Sequence, residues 1–347
     1  MTKPLQPTPA LTDEQLAALC APLGRPLSSE RLAGGLFAAV HAVTLDDGRR
    51  VVVKAGTADE ARLMGYEHGI IGTEAAFLRL VHATPGAPSE LVPELLHEDR
   101  ARSVLPGDAV VMSHLPGATW WRVTTDAERA DAPLDAATTA RVQREVGGVL
   151  ARLHRARGTL YGYPAPEAGL ARTTWPDAFA AMIEAVLDDA ARWGIEVPSF
   201  AVREAVVRGE QALARITTPR LVHGDLWAGN VLVDPASYEV TGIIDGERAL
   251  FGDPLFDLMA ADPVGTGGIP APLLEGYRAA GGELAEPRTP AAEDEAVRLR
   301  LYRLYLHLVM HAEQGPRGPG NDPAYRTLVA QNLETLVARL GARPVAV

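Results

Sequence analysis

The chain is short of several things, and each shortage excludes a class of protein. It has one cysteine, Cys20, in 347 residues, which rules out an intramolecular disulfide framework and any Cys-based zinc cluster. It has no apolar run of 18 or more residues and no signal-peptide pattern in its polar, Pro-rich start, so a cytoplasmic protein without a membrane partner is expected. Cations are outnumbered: 33 Lys and Arg against 44 Asp and Glu give a formal charge of −11. Nucleic-acid phosphates need stripes of Lys and Arg, so no nucleic-acid partner is expected. Internal repeats and low-complexity tracts are also missing.

Two polar residue types are scarcer still. Nearly every cation is Arg, and the only lysines are Lys3 and Lys54. A planar guanidinium does not replace a compact, flexible ammonium as a point charge, so Lys54 stands out in an Arg-rich chain. Asn230 is one of three asparagines. What the chain has in quantity is ordinary: 47% hydrophobic and 22% charged residues supply substantial cores and show no disorder signature. At 347 residues it is long for a single core.

Asn230 closes the most informative stretch, Leu221-Val222-His223-Gly224-Asp225-Leu226-Trp227-Ala228-Gly229-Asn230, which runs into the apolar Val231-Leu232-Val233. Its core is His-x-Asp-x-x-x-x-Asn, and Ile243-Ile244-Asp245 follows. In kinase-type phosphoryl transfer an Asp takes the proton of the attacking hydroxyl, an Asn five residues on holds magnesium, and a later Asp holds magnesium against the phosphates. Asp225, Asn230 and Asp245 stand in that order. The residue types suit the task, because hard magnesium takes carboxylate and amide oxygens. The charge of the transferred group sits on oxygens, so the protein mainly positions reactants and neutralises charge. Singly, Asp and Asn favour turns anywhere; the spacing of the set carries the reading.

The segment His223-Gly224-Asp225-Leu226-Trp227-x-Gly229-Asn230, with Asp245-x-Glu247 and Gly252-Asp253-Pro254-x-x-Asp257-Leu258, resembles the aminoglycoside phosphotransferase and choline kinase superfamily of small-molecule kinases. Its wording is also similar to the fructosamine (ketosamine) kinase branch. The resemblance covers about Arg220 to Asp262 and is looser elsewhere. It implies an α+β, bilobal, protein-kinase-like fold. A small β-rich nucleotide-binding lobe would occupy 1–115, a larger, mainly helical catalytic and acceptor lobe 116–347, and a hinge would lie near 113–116. It further implies ATP and Mg²⁺, with transfer to a hydroxyl of a small molecule. The acceptor expected first is an amine-bearing sugar or aminoglycoside-like antibiotic; a ketosamine is the alternative. A kinase-fold protein that binds a nucleotide or metabolite without turnover is a second alternative, but such a protein would lack the base or a metal ligand. Between Asp245 and Gly252 there is no room for a protein-kinase activation segment, so a protein substrate is not expected. Gly246 stands where relatives often carry an aromatic residue, a departure expected to widen or loosen the site without removing the ligand Asp245.

The rest of the chain can be placed around this centre. Thr12 and Gln15 are spaced for a capping box on a short helix through about Leu19. Leu32 to Leu45 and Arg50 to Lys54 read as a hairpin around Asp46-Asp47-Gly48. Gly34-Gly35 lies where a phosphate-covering loop would sit, without the full G-x-G-x-x-G. Val51-Val52-Val53-Lys54 is similar to the kinase strand whose Lys meets the nucleotide phosphates; its partner should be Glu74 on the next helix, with Glu67 the other candidate. Asp108 to Ser113 reads as a buried strand followed by the linker His114-Leu115-Pro116-Gly117, where the resemblance assigns the Ser113 C=O and Leu115 N–H to adenine. Helices are expected over about 137–155, 176–193, 199–215, 271–279, 290–314 and 322–340. His154 reads as structural, and His307 and His311 as core or cleft residues rather than a zinc pair. Glu184 and Asp188 share a helical face, either solvated or forming a wall for an ammonium. Asp253 and Asp257 read as capping residues.

Overall fold

Successive strand side chains face opposite sides of a sheet, so the alternation in Val51-Val52-Val53-Lys54-Ala55 decides where Lys54 points. In the computed structural model, which describes residues 8–32, 38–125, 135–317 and 322–341, this stretch is the central strand of an antiparallel sheet. The strands are β1 (Pro26–Arg31), β2 (Ala38–Leu45), β3 (Arg50–Gly56), β4 (Leu95–Asp99) and β5 (Ala109–Ser113), in the order β1-β2-β3-β5-β4. Val51, Val53 and Ala55, with Ala109 and Val111, pack on Leu16, Leu19 and Cys20 of α1 (Asp13–Cys20). Val52 and Lys54 therefore face α2 (Ile70–Ala83).

Local signals account for several of these elements. Thr12 Oγ1 accepts from Gln15 N at 3.2 Å and the Gln15 side chain accepts from Thr12 N at 2.9 Å, a complete capping box on α1. The edge strand β1 was not anticipated. Its Ser28, Ser29 and Glu30 are exposed and it is held by backbone pairing with β2, so there is no apolar alternation to read. Of the strand expected from Leu32, β2 accounts for Ala38 onward; Gly34-Gly35 lies outside the described residues.

Beyond β5 the chain is mainly helical, giving an α+β architecture with a β-sheet N-terminal region and a helical C-terminal part. The helices are α3 (Trp120–Thr125), α4 (Ala136–Leu153), α5 (Trp175–Trp193), α6 (Ser199–Leu213), α7 (Leu255–Ala260), α8 (Ala271–Ala279), α9 (Pro290–Ala312), α10 (Gln314–Arg317) and α11 (Pro323–Gly341). Among the described residues no helix is long and apolar enough to cross a membrane. From Leu301 to Met310 α9 is buried on all sides, as its apolar run requires. It packs with Trp175, Phe179 and Phe256 in a core that extends to Phe77 and Leu78 of α2.

Two small sheets carry the motif. β7 (Arg220–Val222) pairs with β10 (Leu250–Gly252), and β6 (Ala118–Thr119), β8 (Val231–Val233) and β9 (Val240–Ile243) pair in the order β6-β8-β9. Asp234 Oδ1 accepts from Ala236 N and Ser237 N, both at 2.8 Å, and so makes the turn between β8 and β9. The segment 223–230 spans the two sheets. Val231 pairs with Ile243, and Ile244 N donates to Asn230 O at 3.0 Å, which draws Asp245 alongside that segment.

Candidate active site

The segment holding Asp225 is shaped from behind by Asp257. Its two oxygens accept from His223 N and Gly224 N, each at 2.8 Å, and from His154 Nε2 at 3.0 Å. Gly224 has φ +81, and a Cβ there would stand 2.4 Å from Arg248 O, so glycine is required on both counts. His223 is fully buried, and burial lowers its pKa. Its Nε2 reaches Ile244 O at 3.0 Å and its Nδ1 accepts from Asp225 N at 3.3 Å, a pairing that suits a neutral ring protonated on Nε2. The histidine thus braces Asp225 on one side and the approach to Asp245 on the other.

Asn230 Nδ2 donates to Asp225 O at 2.8 Å and lies 3.4 Å from Asp225 Oδ2. The Asp225 carboxyl is pushed up to about 7, first by burial; Arg248 pulls it down, while Asp245, Glu313 and Glu247 push it further up. Asp245 adopts the left-handed conformation, φ 69 and ψ 49, which Asp tolerates better than most residues, and opens a short 3-10 turn, Gly246–Arg248.

Lys54 is the meeting point. Its Nζ lies 2.9 Å from Glu74 Oε2 and 2.7 Å from Glu247 Oε2, and it donates to Asp245 Oδ1. Burial alone would lower the Lys54 pKa, but Asp245, Glu247 and Glu74 override it and hold the ammonium well above its ordinary range. Burial pushes Glu74 up to about 7 against the pull of Lys54. Carboxylate oxygens of Glu74, Asp245 and Glu247 all lie within 4.8 Å of one another. Three hard carboxylate oxygens this close to one another are a donor set that fits magnesium.

Glu67, the other candidate partner for Lys54, is committed elsewhere: it accepts from Met64 N at 2.8 Å and pairs with Arg317 at 3.0 Å. Ser113 ends β5, with its N–H on Glu94 O at 2.9 Å. Leu115 N–H has no hydrogen-bond partner among the described residues, and the Leu115 side chain lies over Gly242 of β9. Asp253 does more than cap, since it also accepts from Arg298 Nε at 2.7 Å and Tyr302 OH at 2.8 Å. His154, His307 and His311 are held by Asp257 and Tyr277, by the Arg303 carbonyl, and by the Glu196 carbonyl. Glu184 is taken by Arg203 of α6 at 2.7 Å. An ammonium wall built on Glu184 would have to displace that guanidinium.

One expectation is overturned. Gly246 does not widen the site, because the Phe77 ring of α2 fills the space: a Cβ on Gly246 would lie 2.3 Å from Phe77 Cδ1. The aromatic group is supplied by the helix instead of the loop. Sequence reasoning also left Glu247, Arg248 and Glu313 unassigned. Glu247 was visible in the Asp-x-Glu spacing, whereas nothing local marks Glu313, which reaches Arg248 Nη2 at 2.8 Å from the far end of α9.

The sequence profile of the phosphotransferase enzyme family (APH) matches residues 29–295. The chain belongs to this family. It is 31% identical over 181 residues to a Synechocystis protein designated a ketoamine kinase, a match covering 47% of this chain and 54% of that relative's length. Its fold is similar to the aminoglycoside phosphotransferase APH(4)-Ia in complex with ADP and hygromycin B (TM-score 0.60, 20% identity, 94% of this chain and 98% of the other). It is similar too to a structure from Thermobifida fusca assigned as a fructosamine-3-kinase (TM-score 0.63, 22% identity, 94% and 98%).

Proposed function

We propose that this phosphotransferase moves the γ-phosphoryl group of ATP, with Mg²⁺, to a hydroxyl of an amine-bearing sugar. The observation that carries the reading is the convergence of Lys54 with Glu74, Asp245 and Glu247, together with an Asp225 whose carbonyl is held by the Asn230 amide. Asp225 orients the acceptor hydroxyl and takes its proton as the oxygen attacks phosphorus. The bond from phosphorus to the leaving oxygen of ADP breaks in the same in-line displacement, with no phosphoenzyme. Lys54, steadied by Glu74, holds nucleotide phosphates. The Ser113 C=O and Leu115 N–H meet adenine in the linker between a nucleotide lobe over 1–115 and an acceptor lobe over 116–347. Asn230 and Asp245, with Glu247, would hold magnesium, which neutralises phosphate charge when bound.

Two subclasses of acceptor remain in view. An aminoglycoside-like antibiotic suits the acidity of the chain, and the fold of APH(4)-Ia is compatible with it. A ketosamine is favoured by the 31% identity to the ketoamine kinase and by the Leu226-Trp227-x-Gly229-Asn230 wording. The capture of Glu184 by Arg203 weakens the case for a polycation, so the ketosamine is tested first.

The experiment is ADP release by purified protein with ATP and Mg²⁺ over a panel of ketosamines, amino sugars, aminoglycosides and peptide antibiotics. Turnover with one class, reduced by about 10²- to 10⁴-fold in folded Asp225→Ala, is the expected outcome. Full activity in Asp225→Ala would remove the base from the mechanism. Mg-ATP binding without turnover on any acceptor would favour a binding protein.

A further inference from the structure

A second buried charge network abuts Asp225 and has no part in the reaction just described. Glu313, at the C-terminal end of α9 and 6% exposed, is its centre. It accepts from Arg248 Nη2 at 2.8 Å, from Tyr66 OH and from Arg317 Nη1. Arg317 Nη2 meets Glu67 Oε1 at 3.0 Å, and Glu67 Oε2 accepts from Met64 N at 2.8 Å. At the other end Arg248 lies over the Tyr66 ring, 5.3 Å from its centroid, with Nε 3.9 Å from Asp225 Oδ2. The sign of charge alternates along Asp225, Arg248, Glu313, Arg317 and Glu67.

Burying such a network is costly, and apolar residues of equal volume often serve stability as well. Its two ends indicate its use. One is the proposed base, and the other is the turn Gly65–Glu67 that leads into α2, the helix carrying Glu74. Arg248 sits on a three-residue turn and is too far from Asp225 to hold itself there. Glu313 takes away its freedom to swing. We infer that Glu313 is a positioning residue for phosphoryl transfer: it keeps Arg248 beside Asp225, and through Arg317 and Glu67 it fixes that arrangement to the turn preceding α2. The inference rests on the reading of Asp225 as the base.

Glu313→Gln keeps the shape and removes the charge. Because small misplacements of reacting groups are expensive, kcat should fall about 10- to 100-fold, while KM for Mg-ATP should change less than about two-fold. In an Asp225→Ala background the same substitution should cause no further loss, since the group it positions is gone. Arg317→Lys keeps a charge but loses the fork, and should lower kcat about 3- to 10-fold; it decides the matter if Glu313→Gln does not fold. Wild-type kcat in the folded variants, an equal loss in both backgrounds, or a change confined to the ATP KM would overturn the inference. Turnover that depends on Asp225 but not on Glu313 overturns the positioning alone. No turnover by the wild type with any acceptor removes the proposed function, and this role with it.

Discussion

Asp245 and Glu247 lie close in sequence to Asp253 and Asp257, yet the two acidic pairs are treated in opposite ways. Asp253 and Asp257 are buried and saturated with donors: Leu255 N, Arg298 and Tyr302 for the first, His154 and two backbone N–H groups for the second. Asp245 and Glu247 share a single ammonium with Glu74 and leave 36% and 23% of their side chains exposed. A buried carboxylate that already accepts from three framework donors holds that framework together. A cluster with one cation for three carboxylates can receive another cation. The contrast separates scaffold from site more reliably than acidity does.

The sharpest way to break this comparison is to remove one member from each side. Lys54→Met should depress transfer by about 10²- to 10³-fold. It should also enlarge the thermal shift that Mg²⁺ produces, because three carboxylates lose their resident cation. Asp257→Ala should instead destabilise by about 3–5 kcal/mol, seen as a lower denaturant midpoint that Mg²⁺ does not restore. A Mg²⁺-dependent rescue of Asp257→Ala would erase the distinction.

A pH series sharpens it. Glu74 is pushed up to about 7 from an ordinary 4.5. A carboxyl raised in the folded state binds more protons folded than unfolded within that window, so stability falls as pH rises through it. In metal-free buffer the wild type should therefore lose stability relative to Glu74→Gln as pH rises from about 4.5 to 7. Asp245 is shifted the other way: burial raises it, but Lys54 pulls it below 3.8, and its stabilising contribution is lost only at pH lower than this window. Mg²⁺ should flatten the Glu74 slope. A wild type that gains stability over Glu74→Gln as pH rises would contradict the buried geometry.

Smaller effects test the packing around the site. Gly246→Ala should destabilise by about 1–3 kcal/mol through its clash with the Phe77 ring, and the double variant with Phe77→Ala should cost less than the sum of the two. The smallest effect belongs to the exposed pair on α5 and α6. Glu184→Gln should change stability by no more than about 1 kcal/mol and leave the acceptor KM unchanged.

What could be read from the sequence follows from the range over which its signals act. Helices α4, α5, α8 and α9 have apolar spacing and end signals within their own residues, so their extents were expected to within a few positions. Strands β1, β4 and β6 have no comparable pattern; they exist through their pairing with β2, β5 and β8. The site divides in the same way. Asp225, Asn230 and Asp245 are close in sequence and announced themselves by spacing. The convergence of Glu74 with them depends on how α2 packs, and Glu313 arrives from the end of α9, which no local pattern records. Gly246 misled because a missing side chain is silent about which neighbour fills its space.

That neighbour has a consequence for motion. Glu74 and Phe77 stand one turn apart on the same face of α2. The first grips Lys54 of the sheet, and the second is wedged over Gly246 next to Asp245. A helix pinned at two points on one face cannot roll about its axis, and it cannot slip by a turn without withdrawing the ring. The helix therefore works as a keyed shaft: through Glu74 and Phe77 it ties the sheet and the turn after Asp245 into one unit.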